Sequence, residues 1–364
     1  MKKDVPDVED VRKTNNIYFC KQKCWNRGTN TMKLRILGSE EKGASRALYE
    51  EVFSEDSQSF VDYYYTEKTK DNQIYVIEED GEIRAMLHLN PYKLLVNGSE
   101  KDANYIVAVA TQEPYRKRGY MAALLKKSLN EMYHNGETFT FLMPASESIY
   151  LPFDFRTVYE QERSFYYEAE KQEKGILVTT ASENDCEEIA AYASKYLSDN
   201  YQVYAMRDAA YYQRLMKEYA SDGGCLKLFR KEGEIQDIRI DTGEEAGEEK
   251  PKIMIRIVDV RRMLMSMRLK EFMGTCFQIT DPLIEENNRC VMITGTEFSG
   301  VMLMDGKREN SEGTITVAAL ASLLFGAKTI EEICEEDGVT MSDRMKEEMK
   351  KMIPLSKIYL NEVV

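Results

Sequence analysis

A buried strand that runs through a short basic loop into an amphipathic helix constrains this sequence more than any other feature. Residues 103–111, ANYIVAVAT, are β-branched and apolar on both faces, which is typical of a strand at the centre of a sheet. After the loop, leucines and methionines within residues 121–132 recur at helical spacing, and Asn135-Gly136 supplies a stop signal. The stretch therefore predicts a strand–loop–helix crossover inside an α/β domain.

The loop, Arg116-Lys117-Arg118-Gly119, lies where the predicted helix begins. Backbone N–H groups in the first turn of a helix lack intrahelical partners and lie at the positive end of the helix dipole, so they favour an anion. Gly119 lets the backbone approach a diphosphate closely, and the basic side chains add charge. Solvated basic residues are the simpler interpretation. We favour the anion site, because unpaired positive charge is unfavourable at a helix start.

Hydrophobic periodicity predicts the elements on either side of this crossover. Two amphipathic helices are expected within residues 43–70, and a short helix followed by two strands within residues 149–167. Asp80-Gly81 and Asn97-Gly98 are hairpin turn signals between β-rich runs. Further strands are expected at 73–78, 83–89, 92–96 and 138–143.

The second half of the chain changes character near Pro251. Helices are expected at 182–199 and 209–220, and strands dominate from Lys252 onward. Residues 1–31 are polar and have no period, so ordered structure need not begin before Met32. The chain divides into an N-terminal arm at 1–31, a first domain at 32–172, a central segment at 173–250 and a second α+β domain at 251–364.

Composition excludes several classes of protein. Asp and Glu number 63 against 49 Lys and Arg, a net charge of -14 that disfavours nucleic acid and favours small cationic partners such as amines. No run reaches the roughly 18 apolar residues of a membrane helix, and the N-terminus lacks a signal-peptide core. Seven scattered cysteines fit reduced thiols in the cytoplasm. With two histidines and no paired Cys-x-x-Cys units, a metal site is not expected.

The crossover resembles the acetyl-CoA loop of the GNAT superfamily of acetyltransferases, which reads Arg or Gln, two residues, Gly, one residue, and Gly or Ala. The corresponding residues are Arg116, Gly119 and Met121, and Met121 departs from the usual small residue. The order of MLHLNPY, YIVAVAT, the loop and IYLPFDF is similar to the Eis-like (enhanced intracellular survival) branch. The C-terminal region resembles the sterol-carrier-protein-like domain of that branch.

The resemblance implies an α+β (α/β) architecture. It comprises an N-terminal GNAT fold with a mixed, mostly antiparallel sheet, a reduced central GNAT-like segment, and a sterol-carrier-like α+β domain. It implies an N-acetyltransferase that passes an acetyl group from acetyl-CoA directly to a primary amine of a small cationic or peptide acceptor, without a metal. It also implies self-association into a homo-oligomer such as a hexamer.

The resemblance further implies which residues act. Tyr150 lies where many GNAT enzymes place the tyrosine that hydrogen-bonds the CoA sulfur, and a phenol can protonate the leaving thiolate. In the Eis-like branch the terminal carboxylate is the proposed base, which here belongs to Val364 in place of the usual aromatic residue. Cofactor binding is expected from the backbone of Val107, Ala108 and Val109 and from Arg116, Lys117, Arg118, Gly119, Tyr120 and Met121.

Several alternatives stay open at this point. Tyr150 could be a half-buried aromatic residue with a satisfied hydroxyl, and His88 could face a substrate cleft or pack in the core. Asp154, where the family usually has glycine, could be a harmless loop change or a cleft carboxylate. The whole chain could be a non-catalytic acetyl-CoA-binding sensor or scaffold, or a lipid-binding protein built on its C-terminal domain.

Overall fold

The computed structural model describes residues 32–168, 174–243 and 250–363. The predicted arm at 1–31 and the predicted base, the terminal carboxylate of Val364, lie outside the described residues. The described helices are α1 (Arg46–Val52), α2 (Gln58–Glu67), α3 (Tyr120–His134), α4 (Glu147–Tyr150), α5 (Cys186–Asn200), α6 (Ala209–Ser221), α7 (Val260–Met265), α8 (Val317–Leu324), α9 (Ile330–Ile333) and α10 (Asp343–Met349).

The described strands run along the whole chain and form four sheets. They are β1 (Lys33–Ile36), β2 (Gln73–Glu79), β3 (Glu82–Val96), β4 (Ser99–Thr111), β5 (Phe139–Leu142), β6 (Arg156–Glu160), β7 (Ile176–Thr180), β8 (Val203–Ala205), β9 (Cys225–Lys231), β10 (Glu234–Asp241), β11 (Lys252–Ile257), β12 (Arg268–Leu269), β13 (Met273–Thr280), β14 (Cys290–Thr296), β15 (Gly300–Asp305), β16 (Gly313–Thr316), β17 (Thr340–Met341), β18 (Met352–Ile353) and β19 (Ile358–Tyr359).

The largest sheet has the order β1-β2-β3-β4-β5-β11-β6, with β8 added beside β3 and β19 beside β8. Its pairs are antiparallel except for β4 with β5 and β8 with β19, so the predicted mixed, mostly antiparallel sheet is confirmed. The two strands expected at 83–89 and 92–96 form one long strand, β3, whose hairpin with β4 turns at Asn97-Gly98. Both turn residues have positive φ, 50° and 82°, which this tight hairpin requires.

Helices cover both faces of this sheet. Tyr64 of α2 contacts His88, whereas Glu131 of α3 accepts a hydrogen bond from Tyr75, and His88 and Tyr75 belong to opposite faces of the β2–β3 pair. The predicted apolar stripe of α3 is buried, including Leu124. The sheet is therefore the middle layer of a three-layer domain. Its edges are not covered by these helices, so strands from later parts of the chain can pair with them.

A strand from the second half of the chain completes this first sheet. β11 pairs antiparallel with both β5 and β6, so it takes the place beside β6 that the expected second strand of 149–167 would have filled. Phe165 makes only an isolated bridge with Ile240. The difference is burial: β11 is buried on both faces from Ile253 onward, whereas every residue of 162–168 is partly or fully exposed.

The central segment has a small core of its own. Helices α5 and α6 pack on a three-stranded sheet, β10-β9-β7, around residues such as Ile189, Tyr212 and Leu228. Its short strand β8 instead pairs with Leu94–Val96 of β3. A capping box precedes α5, with the Asp185 carboxylate accepting from the Ser182 N–H at 2.8 Å.

The C-terminal part contains the five-stranded sheet β15-β14-β13-β16-β17 and shares its core with the first domain. The ring centroids of Phe139 and Phe325 lie 5.3 Å apart across this junction. Arg256 of β11 is fully buried and donates to Asp281 at 2.6 Å and to the Phe153 carbonyl at 2.9 Å. None of the described helices is both long and apolar enough to span a bilayer.

Candidate active site

Strand β4 carries a bulge at the middle of the first sheet. The register of β3 against β4 shifts between Met86 and His88, so that Leu87 alone faces Ala108 and Val109. Ala108 has φ of 49°, in the left-handed region that residues with a side chain seldom adopt. A bulge of this kind bends the strand and turns its edge away from the neighbouring strand.

The neighbouring strand β5 diverges from β4 at this bulge. The two parallel strands pair at Tyr105 and Phe141, and the described residues form no further ladder pair between them. The edge of β4 at 107–109 therefore faces an opening in the sheet. An extended molecule that carries amide groups can add to such an edge as a further strand.

The chain runs from the bulged strand through residues 112–119 to the N-terminus of α3. Gly119 is the N-cap residue, with φ of 81° and no side-chain cap, so the first N–H groups of a 15-residue helix have no capping side chain. Lys117 also has positive φ, 62°, which curls the loop around the helix start. This arrangement of backbone donors is suited to a phosphate or diphosphate.

Side chains of the loop are held against the sheet. Two guanidinium groups, those of Arg84 and Arg118, each lie 4.6 Å from the centroid of the Tyr115 ring. Arg118 Nη1 also lies 3.7 Å from Glu79 Oε2, and the hydroxyl of the buried Tyr120 donates to the same carboxylate. These contacts fix the loop through its side chains and leave the backbone of the helix start for a ligand.

The remaining loop residues differ in what they offer. Arg116 and Lys117 are exposed, and Arg116 Nε donates to the Thr111 carbonyl at 3.2 Å. Met121, which departs from the small residue of the family pattern, is half-buried and packs against the main core. The larger side chain is therefore accommodated inside the domain and does not block the loop.

Tyr150 ends α4, which follows β5. It is 8% exposed, and its ring meets Phe155 edge-on with centroids 5.8 Å apart. No group in the described part of the chain hydrogen-bonds its hydroxyl, so the alternative of a satisfied phenol has no partner there. Burial raises the pKa of Tyr150 to about 12, which keeps the phenol protonated at neutral pH.

A cavity of about 810 Å³ lies beside the same sheet. β2 pairs with β3 as far as Leu89 and β8 pairs with it from Leu94, so residues 90–93 face no strand on that edge. The cavity occupies this gap and is also lined by α6 of the central segment. Asn90 lines it and pairs with Tyr105, two residues before the bulged stretch of β4, so the cavity approaches the opening.

Polar contacts between α2 and α6 build one wall of the cavity. Lys68 Nζ lies 2.9 Å from the buried Glu218 carboxylate, to which the Tyr63 hydroxyl also donates at 3.0 Å. Arg214 Nη2 lies 3.0 Å from Asp71. Burial raises the pKa of Glu218 above its usual value, although Lys68 and Tyr63 oppose that shift.

The last described residues reach the cavity as a buried tail. Gln161 Nε2 donates to the Leu360 carbonyl at 2.9 Å, and the Tyr159 hydroxyl donates to Asn361 at 2.8 Å. Glu362 accepts from Arg207 and from Tyr211, and Val363 lines the cavity. The tail is thus threaded between the first domain and the central segment.

Two alternatives left open by the sequence are resolved by geometry. His88 is fully buried beside Tyr64, whose hydroxyl lies 3.0 Å from its Nδ1, and burial lowers the pKa of His88 to about 3. It is a neutral core residue. Asp154, with φ of 64°, turns its carboxylate to within 4.0 Å of Arg256 and does not line the cavity.

The residues that line the cavity have little signal in the sequence. Glu218 is buried in α6. The only sign of this in the sequence is that an acidic residue occurs within the amphipathic pattern of the helix. Asp71 and Arg214 lie 143 positions apart, so their pairing has no local signature. No group of three or more His, Cys, Asp and Glu side chains among the described residues is arranged to hold a metal ion.

Comparisons with known families agree with this geometry. Residues 33–158 match the family model of an acetyltransferase (GNAT) domain, and residues 262–361 match that of a sterol carrier protein domain. A comparison with curated protein sequences gives no match.

Solved structures of similar architecture cover 90% or more of this chain. A protein from Enterococcus faecalis V583 described as a probable N-acyltransferase is 14% identical, with a TM-score of 0.72 over 91% of this chain and 100% of that one. A GCN5-related N-acetyltransferase from Anabaena variabilis is 13% identical, with a TM-score of 0.70 over 90% and 99%. Eis1 from Mycobacterium abscessus is 12% identical, with a TM-score of 0.68 over 92% and 100%.

These likenesses confirm the fold and the resemblance stated from the sequence. The bulged strand, the opening beside it and the glycine-capped helix lie within the matched acetyltransferase domain. The chain therefore contains an acetyltransferase (GNAT) domain at residues 33–158, followed by a sterol carrier protein domain at residues 262–361.

Proposed function

We propose that this protein transfers an acetyl group from acetyl-CoA to a primary amine. One observation carries the proposal: the edge of β4 that β5 leaves unpaired at the bulge is joined, through residues 112–119, to the uncapped, glycine-initiated start of α3. In coenzyme A, a pantetheine arm with two amide groups is followed by a diphosphate. A strand edge that can pair with amide groups and a helix start that can bind a diphosphate match these two parts in the same order.

The cofactor contacts follow from this arrangement. The backbone of Val107, Ala108 and Val109 would pair with the pantetheine amides, and the first N–H groups of α3 would bind the diphosphate. The exposed side chains of Arg116 and Lys117 would add positive charge. The contacting stretch of the loop would be Arg116, Lys117, Arg118, Gly119, Tyr120 and Met121.

The reaction is a direct transfer. A neutral amine attacks the thioester carbonyl carbon, a C–N bond forms, and the C–S bond breaks to release the CoA thiolate. The Tyr150 phenol gives its proton to the departing sulfur. Burial keeps this phenol protonated at neutral pH, so its O–H is available to the sulfur.

The amine has to lose a proton before or during attack. We propose that the terminal carboxylate of Val364 accepts it, and the support is that the preceding residue, Val363, lines the cavity. The cavity would admit the acceptor, since Asn90 in its wall pairs with Tyr105 close to the bulge. Both substrates would then meet at the opening between β4 and β5.

We also propose that the protein works in the cytoplasm as a homo-oligomer. The five described cysteines are free thiols, which suits a reducing compartment. Exposed methionines on β14 and β15, Met292, Met302 and Met304, form an apolar face that suits self-association. Light scattering tests the second point, and a strictly monomeric mass would contradict it.

The test of the activity combines binding and turnover in one sample. Acetyl-CoA is titrated by calorimetry, and free thiol is then measured with polyamines, aminoglycosides and lysine peptides as acceptors. Binding followed by thiol release supports the proposal. Binding without release would favour the acetyl-CoA sensor, and absence of binding would overturn the assignment of the β4 edge and the loop.

A further inference from the structure

The charged side chains at the rim of the cavity are engaged with one another. Arg214 Nη2 lies 3.0 Å from Asp71, and Lys93 Nζ lies 3.5 Å from Asp102. Each of these cations therefore has a carboxylate beside it. A charged group of a ligand meets both signs at the same place, so attraction and repulsion oppose each other.

The other charged groups of the wall are also engaged. Lys68 Nζ lies 2.9 Å from the Glu218 carboxylate, and only 7% and 3% of these side chains are exposed. Arg207 is likewise buried against Glu362. The exposed Asp208 caps α6 by accepting from a backbone N–H at 2.8 Å. A charged group that leaves water here would therefore meet no buried counter-ion, among the described lining residues, that is free of a partner.

The rest of the wall is largely apolar. Its aromatic and aliphatic side chains come from β3, from the β8–α6 region and from the C-terminal tail, and they include Tyr92, Leu95, Met206, Tyr211, Leu215 and Val363. Burial raises the pKa of both Tyr92 and Tyr211, so these phenols stay neutral at neutral pH. Such a wall favours a ligand with an apolar part, because apolar surface on both partners then leaves water.

Tyr92 connects this apolar wall with the opening between β4 and β5. Its ring centroid lies 6.3 Å from that of Tyr105 and 6.0 Å from that of Phe141. Tyr105 and Phe141 form the ladder pair beyond which the two strands separate. An amine that reaches the opening from the cavity would therefore have its remaining part beside Tyr92 and the apolar wall.

We propose, on the basis of the proposed function, that the acceptor is a primary amine whose remaining part is apolar and uncharged. Its amine group lies at the opening between β4 and β5, and its apolar part lies against Tyr92, Met206 and Leu215. Transfer of that part from water to the wall supplies the binding free energy. A second charge there would lose its hydration without gaining a partner. The acceptor is thus an alkylamine or arylalkylamine, not a polycation or an amino acid.

Acceptors with an unbranched chain test this inference. In butylamine, hexylamine and octylamine the reacting amine is constant, and kcat/KM should rise about two- to fourfold per added methylene group. At six carbons, hexylamine should exceed both 6-aminohexanoate and 1,6-diaminohexane in kcat/KM by at least about tenfold. This preference should persist when salt is added, because it does not depend on attraction between exposed charges.

Two variants that add a carboxylate to the apolar wall separate recognition from structural damage. Leu215→Glu should raise the ratio of kcat/KM for 1,6-diaminohexane to that for hexylamine by about tenfold. Met206 is 43% exposed, so Met206→Glu should fold normally and raise the same ratio by about threefold. Damage to the fold alone would lower kcat/KM for both acceptors and leave the ratio constant. Leu177→Glu, at an exposed position of β7 outside the cavity, is the control and should leave the ratio unchanged.

The outcomes distinguish the two levels of the proposal. Thiol release that is independent of chain length, that is faster with either charged acceptor, or whose ratio is unchanged in both glutamate variants would overturn the apolar inference. Each of these results would leave the acetyltransferase proposal standing. No release with any of these amines, in a protein that binds acetyl-CoA, would overturn amine acetylation and this inference with it.

Discussion

Glu362 Oε1 lies 2.7 Å from Arg207 Nη2, and the two side chains keep only 1% and 8% of their surface exposed. The Tyr211 hydroxyl donates to the other oxygen of the same carboxylate at 2.5 Å. This buried pair ties the C-terminal tail to the central segment. It also keeps Val363 at the cavity, because withdrawal of the tail would leave a buried guanidinium without its counter-ion.

Removing the carboxylate should therefore destabilise the protein strongly. Glu362→Ala leaves Arg207 buried and unpaired, and we expect the free energy of unfolding to fall by about 3–5 kcal/mol in urea denaturation. Glu309→Ala, at an exposed ion pair with Lys307, should leave the midpoint unchanged. A loss for Glu362→Ala as small as that of this control would mean that the tail is not buried in solution.

Gly119→Asp should abolish binding of acetyl-CoA. The new carboxylate would lie at the start of α3, where the diphosphate is proposed to bind, and would repel it while competing for the N–H donors. We expect affinity by calorimetry to fall at least about 30-fold. Gly233→Asp, at another glycine of positive φ in the β9–β10 turn, controls for backbone strain and should bind normally. Unchanged affinity of Gly119→Asp would show that the loop is not the diphosphate site.

Tyr150→Phe should slow the reaction without weakening cofactor binding. Loss of the only proposed proton donor to sulfur should lower kcat by about 10- to 100-fold. The Kd for acetyl-CoA should stay constant, since the ring that packs on Phe155 is kept. Tyr196→Phe, at an exposed tyrosine, is the matched control. A fully active Tyr150→Phe enzyme would remove the phenol from the mechanism.

His88 should make the protein less stable in acid. Because burial lowers its folded-state pKa to about 3 from a usual value of 6.5, only the unfolded chain takes up this proton between those values. Its contribution is complete above pH 6.5 and is lost toward pH 3 at about 1.4 kcal/mol per pH unit. The stability gap between wild type and His88→Gln should thus shrink as pH falls below 6.5. A gap independent of pH would mean that His88 is not buried as described.

Extension of the chain beyond Val364 tests the proposed base. One added glycine displaces the carboxylate by a residue, so we expect kcat to fall about tenfold or more while the Kd for acetyl-CoA stays constant. A glycine added before Met1 is the control, and it should have no effect. Full activity of the C-terminally extended protein would exclude the terminal carboxylate as base.

Local signals made the crossover predictable. Leu124, Leu125 and Leu129 recur at helical spacing, and Gly119 lies just before them in the sequence. Because these signals are local, hydrophobic periodicity and turn residues are sufficient to place the helix and its start. The role of residues 107–109 in cofactor binding stays a prediction from the family resemblance, and the bulge there, with its positive φ at Ala108, has no signal in the sequence.

The parts that escaped prediction depend on distant pairings. β11 follows β5 by more than a hundred residues. Its apolar pattern predicts a buried strand but does not indicate which sheet the strand joins. The cavity exists because β2 ends and β8 begins at different points along the edge of β3, and β8 comes from another segment. Its charge balance likewise depends on pairs such as Asp71 and Arg214, which only the folded chain brings together.

The first sheet draws strands from every part of the chain, and this has a consequence for biosynthesis. Its interior strand β11 emerges from the ribosome long after β5 and β6, and β19 emerges almost at the end. Until then the nascent chain exposes unpaired edges, which are open to wrong partners. The sheet is therefore completed only when translation is nearly finished, and a chain that ends before residue 252 would leave β5 and β6 without the strand that pairs with both of them.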